Sequence, residues 1–147
     1  MQDLPAYLAS LKAREVAAKY SDALVIGSDT GVFIDNLMLG KPQNEADGRA
    51  MLERLSGRRH QVITGCCLCW KGQSFSFSES TDVEFYPLSA EDISKYLSTG
   101  EYKDKAGSYG IQGAGALLIR GIHGDYYNVM GLPVSRLARE INNLFSC

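Results

Sequence analysis

The chain has 147 residues, 45% of them hydrophobic and 22% charged, with a formal net charge of −2. These values fit one domain, expected over residues 1–147, burying roughly two-thirds of its unfolded surface in a real core. They exclude bulk electrostatic attraction to nucleic acid or an anionic membrane. No apolar run approaches the ~20 residues of a membrane span. Asp3, Pro5, Lys12, Arg14 and Glu15 interrupt the N-terminus as a signal peptide, so a cytoplasmic protein is expected.

Asp3 followed by Pro5 has the form of a helix start, and Leu4, Leu8, Leu11 and Ala18 trace a rough apolar stripe to about Tyr20. Leu24 to Ile26 then predict a buried strand that breaks at Gly27-Ser28. A hairpin follows, Val32 to Ile34 against Leu37 to Leu39, turning at Asp35-Asn36. Asn44 is placed to cap a helix whose first turn carries Glu45 and Asp47 and whose buried side is Met51, Leu52 and Leu55; Ser56-Gly57 ends it.

From His60 to Tyr86 the pattern is a long antiparallel hairpin, with Val62, Thr64, Cys66, Leu68 and Trp70 on one face and a turn at Lys71-Gly72. Three of the four cysteines, Cys66, Cys67 and Cys69, crowd this strand; with Cys147 they lack metal-ligand spacing and are expected to be reduced and partly buried. Ser89 with Asp92 forms a capping-box variant opening a helix that buries Ile93, Tyr96 and Leu97 and closes at Gly100. A loop, Glu101 to Gly115, leads to a predicted strand at Ala116 to Ile119. After Gly131-Leu132-Pro133, the spacing of Val134, Leu137, Ala138, Ile141, Leu144 and Phe145 predicts a final helix. Helices mixed with hairpins argue for an α+β fold around a mixed, largely antiparallel sheet flanked by helices.

Two stretches hold the residue types of a charged site. Leu24 to Pro42 places Asp29 beside Thr30 at the mouth of the predicted strand, with Lys41 after a short return. An acid that binds a cation or activates water, with a lysine that screens phosphate, suits a metal-bound polyphosphate; the same residues also fit an Asp-Thr turn and a surface lysine. Gly100 to Gly115 adds Lys105 and Gln112 among glycines that let backbone approach a ligand, and Gln112 can donate and accept at once, as a nucleobase edge requires. A solvated glycine-rich turn is the alternative. Gly110, Gly113 and Gly115 have neither the order nor the following helix of a dinucleotide fingerprint, and Gly40-Lys41 is not a Walker A loop. His60 reads as exposed or as a hydrogen-bond partner near its strand start, His123 as part of a turn, and Arg58-Arg59 as surface charge or a phosphate contact.

Five segments in order, GSDT (Gly27 to Thr30), GKP (Gly40 to Pro42), MLERLSGRRHQVITG (Met51 to Gly65), DKAGSYGIQG (Asp104 to Gly113) and NVMGLP (Asn128 to Pro133), resemble the Maf family of nucleoside triphosphate pyrophosphatases. The resemblance implies a Maf/inosine-triphosphatase-like fold and hydrolysis between the α and β phosphates, giving a monophosphate and pyrophosphate. It implies that Asp29 is the catalytic proton acceptor and metal neighbour, with Mg2+ or Mn2+ as the cation. Lys41 and Lys105 become phosphate-side cations, and Thr30 and Gln112 bear on base selection. The Asp-Thr and Tyr-Gly-Ile-Gln forms resemble the branch acting on dTTP and UTP rather than the sister branch acting on 7-methyl-GTP. The family often forms dimers, so a homodimer is expected, with a nucleoside triphosphate as the ligand and neither nucleic acid nor membrane as a partner.

One departure stands out: Met1 lies almost at the first helix, without the strand and S-x-S-x-R-R turn that grip the triphosphate in the family. A fragment, an alternative start and a natural short form are all compatible with this. The expectation is an N-terminally shortened domain with weakened phosphate grip, and the alternative to an enzyme is a catalytically impaired nucleotide-binding or interaction module.

Overall fold

The computed structural model describes residues 1–146. The elements run α1 (Leu4–Ala17), β1 (Val25–Ile34), β2 (Leu37–Leu39), α2 (Glu45–Leu55), β3 (Arg59–Trp70), β4 (Gln73–Phe85) and α3 (Ala90–Leu97). Three short 3-10 segments follow (Glu101–Asp104, Ala106–Ser108, Gly113–Leu118), then β5 (Ile119–His123), α4 (Tyr126–Met130) and α5 (Val134–Phe145). The strands hydrogen-bond in the order β2-β1-β3-β4-β5, and the β1–β2 and β4–β5 pairs are antiparallel. This is the expected α+β class.

The described residues divide into two compact units: residues 1–30, 63–80 and 125–146 form the first, and residues 31–62 and 81–124 the second. In the first unit α1 is shorter than its sequence spacing suggests, because its end tightens into turns in which Lys19 N–H donates to Val16 O and Tyr20 N–H to Ala17 O. Its buried residues are Pro5, Ala9, Ser10 and Ala13, whereas Leu11 is 44% exposed. The expected leucine stripe is therefore not the packed face. The reason is close backbone approach: a Cβ on Gly27 would collide with the Ala9 carbonyl, and one on Gly65 with the Ala6 backbone. Only small side chains fit at that separation. Asp3 occupies the N-cap position but makes no side-chain cap, and Pro5 sits within the first turn.

The strand β1 does not break at Gly27-Ser28; it runs on to Ile34. Asp29 is accordingly in mid-strand rather than at a strand mouth, and Thr30 is not in a turn. Ile26 is exposed, so Leu24 to Ile26 alternate instead of being buried as a run. Around β3 the alternation separates two apolar clusters. Cys67 and Cys69 pack with Ala9, Ala13 and Val25. Cys66 and Leu68 pack with Phe77 and Leu137. All three cysteines are free and fully buried, more so than expected, and burial pushes the Cys66 and Cys69 thiols above their usual range. Cys147 lies outside the described residues.

The second unit follows its local signals closely. Val32, Phe33 and Ile34 face Leu39, Met38 and Leu37 across a turn whose Asp35 and Asn36 both have positive φ, the hairpin geometry that Asp and Asn tolerate. Asn44 Oδ1 accepts from Asp47 N–H at 2.8 Å. Leu52 and Leu55 are completely buried. The capping box at Ser89 and Asp92 forms in both directions. The strand predicted at Ala116 to Ile119 is corrected: the chain stays in a 3-10 segment to Leu118, with Leu117 79% exposed, and β5 begins at Ile119. An apolar run without period-two alternation did not distinguish the two. His123 ends β5 rather than sitting in a turn.

Candidate active site

In the first unit, β1 presents Asp29 with its side chain 21% exposed, and Lys12 Nζ of α1 donates to Asp29 Oδ1 at 2.8 Å. Nothing in its sequence position marked Lys12 as a site residue. It is one of two basic residues on α1, with Arg14, and only the packing of that helix reveals which one reaches the acid.

Thr30, the next residue, ends a buried hydroxyl network. The Thr64 hydroxyl donates to Asn128 O at 2.8 Å and accepts from Asn128 Nδ2 at 2.8 Å. Thr30 Oγ1 lies 2.8 Å from Thr64 Oγ1. A hydroxyl has one hydrogen and two lone pairs. Thr64 spends its hydrogen on Asn128, so the Thr30 hydroxyl must donate to Thr64. Thr30 is thereby left as a pure acceptor towards any ligand. Ser28 Oγ in turn donates to Gly131 O at 2.8 Å. The NVMGLP segment thus acts as the support of the GSDT segment. Its short helix α4, missed in the sequence, starts where Asp125 Oδ1 accepts from Tyr127 N–H at 2.9 Å.

Lys41, Lys105 and Gln112 belong to the second unit, and all three side chains are exposed. Gly107 N–H donates to Gly40 O at 3.1 Å, which ties the segment after Lys105 to the residue before Lys41. The stem of Lys105 runs against Gly110, where a Cβ would come within 3.3 Å of its Cε. Gly107 and Ser108 both have positive φ, and Ser108 is completely buried, with its Oγ 3.2 Å from Met51 Sδ. A serine held there marks a backbone that its surroundings over-determine.

His60 is 2% exposed, and its Nε2 shares a 2.6 Å hydrogen bond with Tyr109 Oη. It is therefore a buried partner of residue 109, not an exposed group. Phe85 completes the aromatic cluster, edge-on to both rings. Burial lowers the His60 pKa to about 4 and pushes the Tyr109 phenol up. Arg58 donates to both oxygens of Asp35, and Arg59 reaches Glu84 at 3.6 Å, so both arginines are engaged within the unit. Among the described residues no group of three His, Cys, Asp or Glu side chains is arranged to enclose a metal. The carboxylate oxygens of Asp29 are of the donor type that hard divalent cations take.

The family profile described as Maf-like protein matches residues 1–144. The chain belongs to the Maf-like family. Among the proteins similar to this Maf-like chain is a dTTP/UTP pyrophosphatase of Halalkalibacterium halodurans, 48% identical over 134 residues, which are 91% of this chain and 70% of that protein. A dTTP/UTP pyrophosphatase of Bacillus cereus is 48% identical over 139 residues, 95% of this chain and 73% of its own length. A third protein of that name, from Bacillus cytotoxicus, is 46% identical over 144 residues, 98% and 75% of the two chains. No helix of the described residues is long and apolar enough to cross a membrane.

Proposed function

We propose that this Maf-like chain hydrolyses dTTP and UTP to the nucleoside monophosphate and pyrophosphate. The observation that carries the reading is the Asp29 carboxylate, set in β1 and held by Lys12 at 2.8 Å. The names of relatives sharing nearly half of its residues support the substrate class.

Asp29 accepts a proton from the attacking water as that water's oxygen bonds to the α-phosphorus. The bond from the α-phosphorus to the α–β bridging oxygen breaks, and its electron pair leaves with pyrophosphate. Lys41 and Lys105 offset the negative charge of the phosphates, and Lys12 orients the acid. Thr30 Oγ1, left as an acceptor, suits a donor group on the nucleoside, and the Gln112 amide suits a pyrimidine edge. A divalent cation, Mg2+ or Mn2+, would be held by Asp29 together with substrate oxygens; when bound it supplies Lewis-acid stabilisation of phosphate charge. The reading includes a cytoplasmic homodimer, supported by the free thiols Cys66, Cys67 and Cys69 and by the exposed cluster Tyr126, Tyr127 and Met130.

Incubation with dTTP or UTP and Mg2+ or Mn2+ is expected to release monophosphate and pyrophosphate in equal amounts. Asp29→Asn preserves side-chain shape and is expected to lower turnover by about 100-fold or more. Release of orthophosphate as the first product, or unchanged turnover in Asp29→Asn, would overturn the reading.

A further inference from the structure

The segment from Tyr109 to Gly115 is fastened far more firmly than a glycine-rich surface loop requires. Its two legs touch: Gly115 lies so close to the Gly110 carbonyl that a Cβ there would collide with it. On the entering leg, Tyr109 is bonded to His60, and Gly110 N–H donates to Tyr96 Oη at 3.3 Å. On the leaving leg, Ala114 N–H donates to Glu101 Oε1 at 3.1 Å. The same carboxylate fills the space beside Gly113, whose φ is +69° and where a Cβ would strike Oε1. Its second oxygen, Oε2, is buried with no hydrogen-bond partner among the described residues. Between these anchors only Gln112 and Gly113 are exposed.

A carboxylate with one oxygen committed to a backbone amide and the other left buried and unsatisfied is costly to keep. Such a cost is offset where a geometry must be held. A glutamine at the apex of a loose loop could meet several base edges; one fixed in place selects an edge, because the wrong base leaves a polar group unpaired. We propose that Glu101 and Tyr109 are positioning residues for base recognition: they pin the two legs of the 110–115 loop and so fix the direction in which Gln112 meets the pyrimidine. This rests on the pyrophosphatase reading and on Gln112 facing the base.

The test compares wild type with Glu101→Ala, Glu101→Gln and Tyr109→Phe. Steady-state kinetics are measured with UTP and CTP, whose rings differ at the edge Gln112 would read, and amide hydrogen exchange is followed over residues 110–114. Glu101→Ala is expected to raise KM for UTP about tenfold with kcat little changed, and to lower the UTP-over-CTP preference by a similar factor. Glu101→Gln keeps an acceptor for Ala114 N–H and is expected to restore most of that preference. Tyr109→Phe keeps the ring in its cluster but frees the entering leg, and is expected to lose preference in the same sense; it carries the test if Glu101→Ala does not fold. Exchange at 110–114 should quicken in Glu101→Ala and Tyr109→Phe in the absence of nucleotide. An unchanged UTP-over-CTP preference in both variants would overturn the proposal, as would unchanged exchange. Equal losses in Glu101→Ala and Glu101→Gln would also overturn it. Exchange needs no turnover, so a loop that Glu101 does not hold is distinguished from a protein that does not hydrolyse UTP.

Discussion

Lys12 Nζ donates to Asp29 Oδ1 across 2.8 Å, joining a helix side chain to the one carboxylate that the GSDT segment offers. The lysine is 59% exposed and the acid 21% exposed, so the pair contributes less than about 1 kcal/mol to folding. Under the proposed function its value lies in orienting the acid. Lys12→Ala is expected to leave the urea midpoint within experimental error while lowering kcat/KM for dTTP about 10- to 100-fold. An unchanged kcat/KM would remove Lys12 from the site.

Thr64 is completely buried and uses all three hydrogen-bonding capacities of its hydroxyl. Thr64→Val keeps the shape, removes one acceptor of the Asn128 amide and frees the Thr30 hydroxyl to rotate. Stability is expected to fall by about 1–3 kcal/mol, read by urea unfolding. Nucleotide affinity should fall as well, because Thr30 no longer faces the ligand as an acceptor only. A weakened fold with unaltered KM would show that Thr30 plays no part in binding.

His60 gives the fold a pH dependence whose sign follows from its burial. The imidazole takes a proton near pH 6.5 when unfolded and only near pH 4 when folded. Between those values the unfolded chain binds more protons, so stability is full above about pH 6.5 and falls as the pH drops towards 4. The loss at pH 5 is about 2 kcal/mol. Tyr109 and Phe85 are the rings against it, and neither supplies a charge to offset an imidazolium. Urea unfolding at pH 7.5 and pH 5 should show the decline in wild type, and a shallower one in His60→Gln.

Gly65 sets how closely α1 approaches β3. Gly65→Ala drives a methyl into the Ala6 backbone, which cannot turn aside as a flexible side chain could. The expected cost is about 1–3 kcal/mol, seen as a lowered denaturant midpoint. Because α1 carries Lys12, kcat/KM should drop along with it. Gly72→Ala is the control for adding a methyl where no neighbour stands in the way, although its positive φ carries a small backbone cost of its own.

Local chemistry made much of the second unit readable. Asn44, the Ser89–Asp92 pair and the Asp35-Asn36 turn each satisfy backbone groups within a few residues, so residue identity carries the geometry. The β3–β4 hairpin with its Lys71-Gly72 turn was legible for the same reason. The five motifs in their order mark the chain's family.

Tertiary packing decided the rest. Gly27 looked like a strand breaker because its lack of a side chain has two opposite uses, turning and close contact, and here α1 uses the second. The same close approach buried Ala9 and Ala13 in place of the leucine stripe. Lys12 and Asp29 are 17 residues apart, and His60 and Tyr109 are 49 apart. Neither pairing has a local signature, since hydrogen bonds at such separation depend on how elements pack rather than on spacing along the chain. The sequence alone determined the family, the hairpins and the helix caps. Which lysine meets Asp29, and what holds Gln112 in place, became visible only once the chain was folded.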